Sequence, residues 1–236
     1  MIGTTTLNVT GLLSDTVGFG WFAPTLAIHV LAGAVALLAG LAAIVTRKGG
    51  SRHNCAGKLY GLTMAVVVTT AVPLSVGTSN WFLFAISVFT GYLVAAGYRI
   101  VARRRARLTE PTAIDDALHG TMLVASVGMV AGGGYGSLAS RMALGEVLVV
   151  FGVIGGLLAV RELRQLRRPR EDRAPWFSRH IAFMGGAFIS TVTATITVNL
   201  TELPALARWL GPTVVGVPLI FYAIDRYRPR FGRTHA

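Results

Sequence analysis

The sequence predicts an all-α fold, a polytopic bundle of seven transmembrane helices with its N-terminus outside the cell and its C-terminus in the cytoplasm. Three observations lead to this fold class. The 236 residues are 53% hydrophobic and only 14% charged. The apolar residues fall into seven long segments, and the basic residues gather in alternate connections between those segments.

The composition excludes several classes of protein. A soluble domain carries about 25% charged residues, so this chain has too little polar surface to cover a water-soluble globule. We therefore expect a lipid bilayer around it. Cys55 is the only cysteine, which excludes an internal disulfide. The sequence has no CxxC or CxxCH motif, so we expect neither a zinc ribbon nor a covalently attached c-type haem. The N-terminal residues contain no basic segment, so no cleaved signal peptide is predicted.

Each of the seven apolar segments is long enough, or nearly so, to cross a hydrocarbon core of about 30 Å. Prolines and threonines in the last two segments are tolerated where neighbouring helices satisfy the freed backbone groups. Glycines in the fourth and fifth segments predict close helix packing. The predicted spans are 22–46, 58–78, 81–102, 115–139, 143–161, 177–199 and 208–224. They lie within a membrane domain, 21–225, between an extracytoplasmic segment, 1–20, and a basic cytoplasmic tail, 226–236.

The orientation follows from the lysines and arginines, because short cytoplasmic connections carry an excess of them. Of the 22 basic residues, 20 fall on one predicted side, and only Arg141 and Arg208 fall on the other. This distribution explains the net charge of +12 without nucleic acid, which we exclude as a partner. We expect a prokaryotic plasma membrane protein. The basic connections carry Arg47, Lys48, Arg52 and Lys58; Arg99, Arg103, Arg104, Arg105 and Arg107; Arg161, Arg164, Arg167, Arg168, Arg170, Arg173 and Arg179; and Arg226, Arg228, Arg230 and Arg233.

Three histidines lie near the cytoplasmic ends of the three helices that run outward. His53 precedes the second predicted helix, His119 lies just inside the fourth, and His180 lies just inside the sixth. The positive end of a helix dipole favours neutral imidazole, which is the form that binds a metal or haem iron. The sequence therefore predicts one inner-leaflet site in which His53, His119 and His180 bind a metal or a cofactor.

Two acidic residues, Asp115 and Asp116, precede His119 by four and three positions and therefore share its helix face. One interpretation is that a carboxylate orients the His119 ring, as groups behind metal ligands do. The other is that the two acids complement the helix dipole. On the opposite side, His29, Glu146 and Asn199 form either a second polar site with a role in proton entry or isolated hydrogen-bonding groups between helices.

Three stretches resemble a bacterial and archaeal family of predicted multi-pass membrane proteins of unknown function. "RKGGSRHNCAGKLYG" is similar to a basic turn with a histidine followed by G-K/R-x-Y/F, although Asn54 stands where such families place a second basic residue. "RHIAFMGGAFISTVTATITVN" and "LGPTVVGVPLIFYAIDRYR" resemble later helices of that family. The resemblance covers about 25–230, implies a multi-pass helical fold, draws attention to His53 and His180, and implies no activity.

Four functions are compatible with these residues. The first is a redox protein that binds haem b, or another metal, through inner-leaflet histidines, with His119 and His180 as the best pair by depth. The second is a membrane hydrolase with catalytic zinc on three histidines. The third is a proton-coupled transporter, and the fourth is a structural membrane subunit. Beyond the bilayer, the expected partner is an electron-transfer protein or a small molecule.

Overall fold

The computed structural model describes residues 20–139, 144–169, 171 and 173–231, with the side chains of 229–231 excepted. In this part of the chain there are seven helices and no strand. The predicted extracytoplasmic segment, 1–20, lies outside the described residues except for Gly20, as do residues 232–236 of the tail. The helices are α1 (Phe22–Val45), α2 (Ser51–Gly77), α3 (Trp81–Arg105), α4 (Ala113–Leu138), α5 (Gly145–Arg167), α6 (Trp176–Asn199) and α7 (Ala205–Phe231).

Six of the seven helices are long and apolar enough to cross a membrane, which confirms a multi-pass membrane protein. The exception is α5, which has Glu146 in its first turn and Arg161 and Glu162 before its end. Its uncharged stretch is 147–160, about 21 Å at 1.5 Å per residue and shorter than a hydrocarbon core. Seven membrane crossings therefore stay a prediction.

The second helix begins at Ser51, seven residues before the predicted start at 58. The prediction that His53 lies in a turn ahead of this helix is therefore wrong. The turn itself is short because Gly49 adopts a left-handed φ of 76°, which glycine tolerates, and the extended Gly50 then precedes the first helical residue. The first two turns of α2 are polar, so hydropathy alone placed the boundary too late.

Helix α3 lies at the centre of the bundle and packs against α2, α4, α5 and α6. Its aromatic rings contact rings on other helices at distances typical of favourable aromatic pairs. Phe89 and Phe151 of α5 have ring centroids 5.2 Å apart, and Tyr92 and Phe183 of α6 have centroids 5.7 Å apart. The other extensive contacts join α1 to α2, α4 to α5, and α6 to α7, and smaller contacts join α1 to α6 and α5 to α7.

Three connections and the end of α7 meet at one end of the bundle, which we name the basic end. Arg173, before α6, donates to the carbonyl of Thr109, before α4, over 2.7 Å. The guanidinium of Arg104 stacks 3.9 Å from the ring centre of Trp176. The amine of Lys48, before α2, lies 5.8 Å from the ring centre of Tyr227 on α7. The structure thus brings the basic connections together, while the cytoplasmic orientation of this end stays a prediction.

Glycines allow α4 and α5 to pack closely, as the sequence predicts. A Cβ atom on Gly133 would lie 2.5 Å from the backbone oxygen of Gly145 and 3.1 Å from Cβ of Leu148. A Cβ atom on Gly152 would lie 2.9 Å from Cβ of Met129. Small residues permit such close contact between membrane helices, and van der Waals packing then holds the helices together.

Adjacent glycines on α4 provide a test of this packing. The substitution Gly133→Ala should destabilise the fold by about 1–3 kcal/mol, because the new methyl group meets backbone that cannot move without shifting a helix. Gly132→Ala is the control, since a Cβ there has no neighbour within 4 Å. Unfolding of the purified protein in detergent, followed by circular dichroism, compares the two. Equal stability of both variants would contradict the close packing of α4 on α5.

Candidate functional site

The carboxylate of Asp115 is fully buried at the basic end, in the first turn of α4. It accepts hydrogen bonds from Nε of Arg99 at 2.7 Å and from Arg103, both on α3. It also accepts hydrogen bonds from the backbone N–H and the hydroxyl of Thr112, at 2.8 and 2.7 Å. The Thr112 contacts belong to a capping box, which satisfies free N–H groups at a helix start. Asp115 thus joins the start of α4 to the end of α3.

A second buried ion pair joins α5 to α6. Glu162 and Arg179 pair through both carboxylate oxygens, with Nε of Arg179 3.1 Å from Oε2. One turn further along α5, the buried Gln165 accepts a hydrogen bond from the backbone N–H of Ala174 at 2.7 Å. Such pairs are tolerated in a low-dielectric interior only when the charges and the remaining hydrogen-bonding positions are satisfied. The basic end therefore contains an ionic layer across α3, α4, α5 and α6.

His119 lies against this layer, with 2% of its surface exposed. Its Nδ1 is 3.0 Å from the hydroxyl of Tyr92 on α3, and the two rings meet edge to face. The charged groups that act on it are Asp115, Arg179, Asp116 and Arg103. Asp115 carries its own partners, and Asp116 is half exposed and pairs with Arg167 at 2.9 Å. Tyr92, rather than either acid, is the hydrogen-bond partner of the His119 ring in the described residues.

His180 packs against another part of α3, and His53 lies in the first turn of α2. His180 Nδ1 is 3.0 Å from the backbone oxygen of Gly97 on α3, and His53 Nδ1 is 2.9 Å from that of Ala43 on α1. Because a carbonyl oxygen only accepts, Nδ1 carries the proton in each ring and Nε2 presents its lone pair in the neutral form. His53 and Lys48 are close enough to His180 to act on it electrostatically.

The three predicted ligands have different hydrogen-bond partners and different charged neighbours. His53 and His180 influence each other, whereas the hydrogen bond and charged neighbours of His119 come from Tyr92 and the ionic layer. Within the described ranges, no group of three or more histidine, cysteine, aspartate or glutamate side chains is placed to hold a metal ion. His180 therefore has His53 and Lys48 as charged neighbours, whereas the charged neighbours of His119 belong to the ionic layer or to Asp116.

Lys48 adds a positive charge near His180. Its amine donates to the backbone oxygens of Ala43 at 2.8 Å and Ile44 at 2.5 Å. No carboxylate in the described part of the chain pairs with it. Burial lowers the pKa of Lys48, because a partly desolvated ammonium group without a counter-ion is costly. An anionic group bound here would stabilise the charged amine.

The three residues of the predicted outer polar site have separate surroundings. His29 Nδ1 contacts the backbone oxygen of Val67 at 3.1 Å and the hydroxyl of Thr70 at 3.0 Å, both on α2. Glu146 is exposed at the start of α5. Asn199 is exposed and donates to Thr195 of its own helix at 2.8 Å. Among the described hydrogen bonds, none joins two of these three residues.

Sequence reasoning missed the ionic layer because it treated the arginines at this end only as markers of orientation. The available signal was the position of Asp115 and Glu162. The whole chain has ten acidic residues, and an acid at the edge of an apolar span is costly unless it has a partner. Arginines in the neighbouring connections were the available partners, but the choice of Arg99, Arg103 and Arg179 required the tertiary structure.

Neighbouring aspartates test the importance of the ionic layer. Asp115→Ala should destabilise the fold by about 3–5 kcal/mol, because it leaves buried arginines without a counter-ion. Asp116→Ala should cost about 1 kcal/mol or less, because its pair with Arg167 is exposed to solvent. Unfolding in detergent measures both values. A small loss for Asp115→Ala would show that the buried pair is not needed for stability.

Comparison with known proteins does not assign the chain to a family. No protein-family model, no curated protein and no solved structure matches the chain. What the protein does must therefore be inferred from the contacts of its own residues.

Proposed function

We propose that this membrane protein binds haem b at the basic end, where His53 and His180 would hold the iron, and that it transfers electrons at the inner leaflet of a prokaryotic plasma membrane. The main support is the hydrogen bonding of the two rings. Each ring donates a hydrogen bond from Nδ1 to a backbone carbonyl on another helix. The lone pair of Nε2 is then the one available to bind iron. Such a hydrogen bond is the usual way in which a protein orients a histidine ligand.

The number of histidine side chains available as metal ligands favours haem over zinc. Catalytic zinc requires three protein ligands with an open fourth position, and the described residues contain no suitable group of three. Haem iron accepts axial ligands from the protein while the porphyrin supplies the others, so a pair such as His53 and His180 suffices. The predicted zinc hydrolase is therefore the weaker alternative.

The charge around the pair suits the same cofactor. Haem b carries two propionate groups, and Lys48 is a partly buried cation without an acidic partner in the described residues. In this proposal His53 and His180 would hold the iron, and Lys48 would pair with a propionate. Bound haem would supply one-electron transfer. His119 is not a ligand in this proposal; with Tyr92 it supports the packing of α4 on α3.

Histidine variants test the assignment. The absorption spectrum of wild-type protein, purified in detergent from cells supplied with haem precursor, should show a Soret band and about one haem per chain, because one pair of axial ligands holds one iron. His53→Ala and His180→Ala should each lose most of this band. His119→Ala should keep it if the variant folds, since His119 lies with Tyr92 instead.

His29→Ala is the matched control, because His29 Nδ1 also contacts a backbone carbonyl, that of Val67, but lies far along α1 from the basic end. This variant should keep the full Soret band. Wild-type protein without haem would overturn the proposal, and a stoichiometric amount of zinc would instead support the hydrolase. Loss of haem in His119→Ala with retention in His53→Ala would place the ligands elsewhere.

A proton-coupled transporter is the second candidate, and the buried ionic layer favours it. Carriers use ionisable groups inside the membrane as relays, and Asp115, Glu162 and His119 are buried close to the basic end. A proton flux across proteoliposomes that Glu162→Gln abolishes, in protein without haem, would support this function over electron transfer.

A further inference from the structure

We infer that α5 carries a binding site for an anionic phospholipid from the surrounding bilayer. The site is a groove of about 390 Å³ at the basic end. Five of its residues recur at helical spacing on one face of α5, and the sixth, Arg168, directly follows the end of this helix. They are Leu157, Val160, Arg161, Arg164, Gln165 and Arg168.

The three arginines of the groove differ from their neighbours on the same helix. Arg161, Arg164 and Arg168 are exposed, and no hydrogen bond or ion pair to another described residue involves their side chains. In contrast, Glu162 pairs with Arg179 and Arg167 pairs with Asp116. The groove thus contains three positive charges that the described protein does not neutralise.

The field around the groove also favours an anion. Arg161 lies close enough to the buried Arg179 to repel it. Glu162 pairs with Arg179 and therefore does not neutralise Arg161. Lysine and arginine side chains near a membrane surface attract anionic lipids. A phosphate between the arginines would offset the repulsion.

The apolar end of the groove fits an acyl chain. Leu157 is 66% exposed and lies one turn before Arg161, within the uncharged stretch of α5. That stretch ends at Val160, so Arg161 stands at the boundary between apolar and charged residues. An anionic phospholipid matches this order, because its phosphate would lie at the arginines and its acyl chain at Leu157 and Val160. A free phosphate would use the arginines but not Leu157 and Val160.

Native mass spectrometry of the full-length protein in detergent, titrated with phosphatidylglycerol, tests the site. The triple variant Arg161→Gln, Arg164→Gln, Arg168→Gln should bind this lipid at least about tenfold more weakly than wild type, given the attraction that each basic residue contributes near a headgroup. The control replaces Arg105, Arg107 and Arg226 by glutamine. These are exposed arginines on other parts of the basic end, so the control removes equal charge and should stay within about twofold of wild type.

Two further titrations identify the ligand. Phosphatidylcholine and glycerol 3-phosphate should each bind more weakly than phosphatidylglycerol, because the first lacks net charge and the second lacks acyl chains. Equal loss in both triple variants would overturn the site, as would equal binding of phosphatidylcholine. Equal binding of glycerol 3-phosphate would overturn the lipid assignment, because the arginines alone would then account for the binding. If the triple variant fails to keep its helical circular dichroism, Arg164→Gln alone should still weaken lipid binding about threefold, and no change would overturn the proposal.

Discussion

The buried carboxylate of Asp115 is the constraint on which the basic end depends. A charge in a low-dielectric interior must be paired, and Asp115 meets this requirement with Arg99 and Arg103 from α3. The pair of Glu162 and Arg179 meets the same requirement between α5 and α6. Because α3 lies at the centre of the bundle, these two ion pairs fix the relative positions of the ends of α3, α4, α5 and α6. The candidate sites at the basic end depend on these positions.

The arrangement divides the histidines by the side of α3 that they occupy. His119 packs with Tyr92, beside the ionic layer. His180 uses a carbonyl of the same α3 helix, that of Gly97, and lies near His53 and Lys48. In the described residues, neither imidazole uses Nε2 in a hydrogen bond and Lys48 has no acidic partner, and these features support the proposed haem site. The same central helix therefore supports a structural layer on one side and a candidate cofactor site on the other.

The arginines of the basic end serve three different purposes. Arg103 and Arg179 neutralise buried acids, and Arg173 and Arg104 join connections through Thr109 and Trp176. The arginines of the α5 groove have no such partner in the described residues and follow the apolar Leu157 and Val160 along the same face. A positive charge that determines membrane orientation can thus also be a structural ion-pair partner or a lipid contact. Which of these applies depends on what lies within hydrogen-bond distance.

The sequence alone determined that this is a multi-pass helical membrane protein, because hydropathy and helix length depend on consecutive residues. It also indicated the glycine packing of α4 on α5. It missed the start of α2, since Ser51–Lys58 is polar, and it could not separate His53, His119 and His180. Depth follows from position along a helix, but rotation about the helix axis follows from packing against neighbours. Only the tertiary structure decided that Asp115 binds Arg99 and Arg103 and that His180 binds the carbonyl of Gly97, because these contacts join residues far apart in the chain.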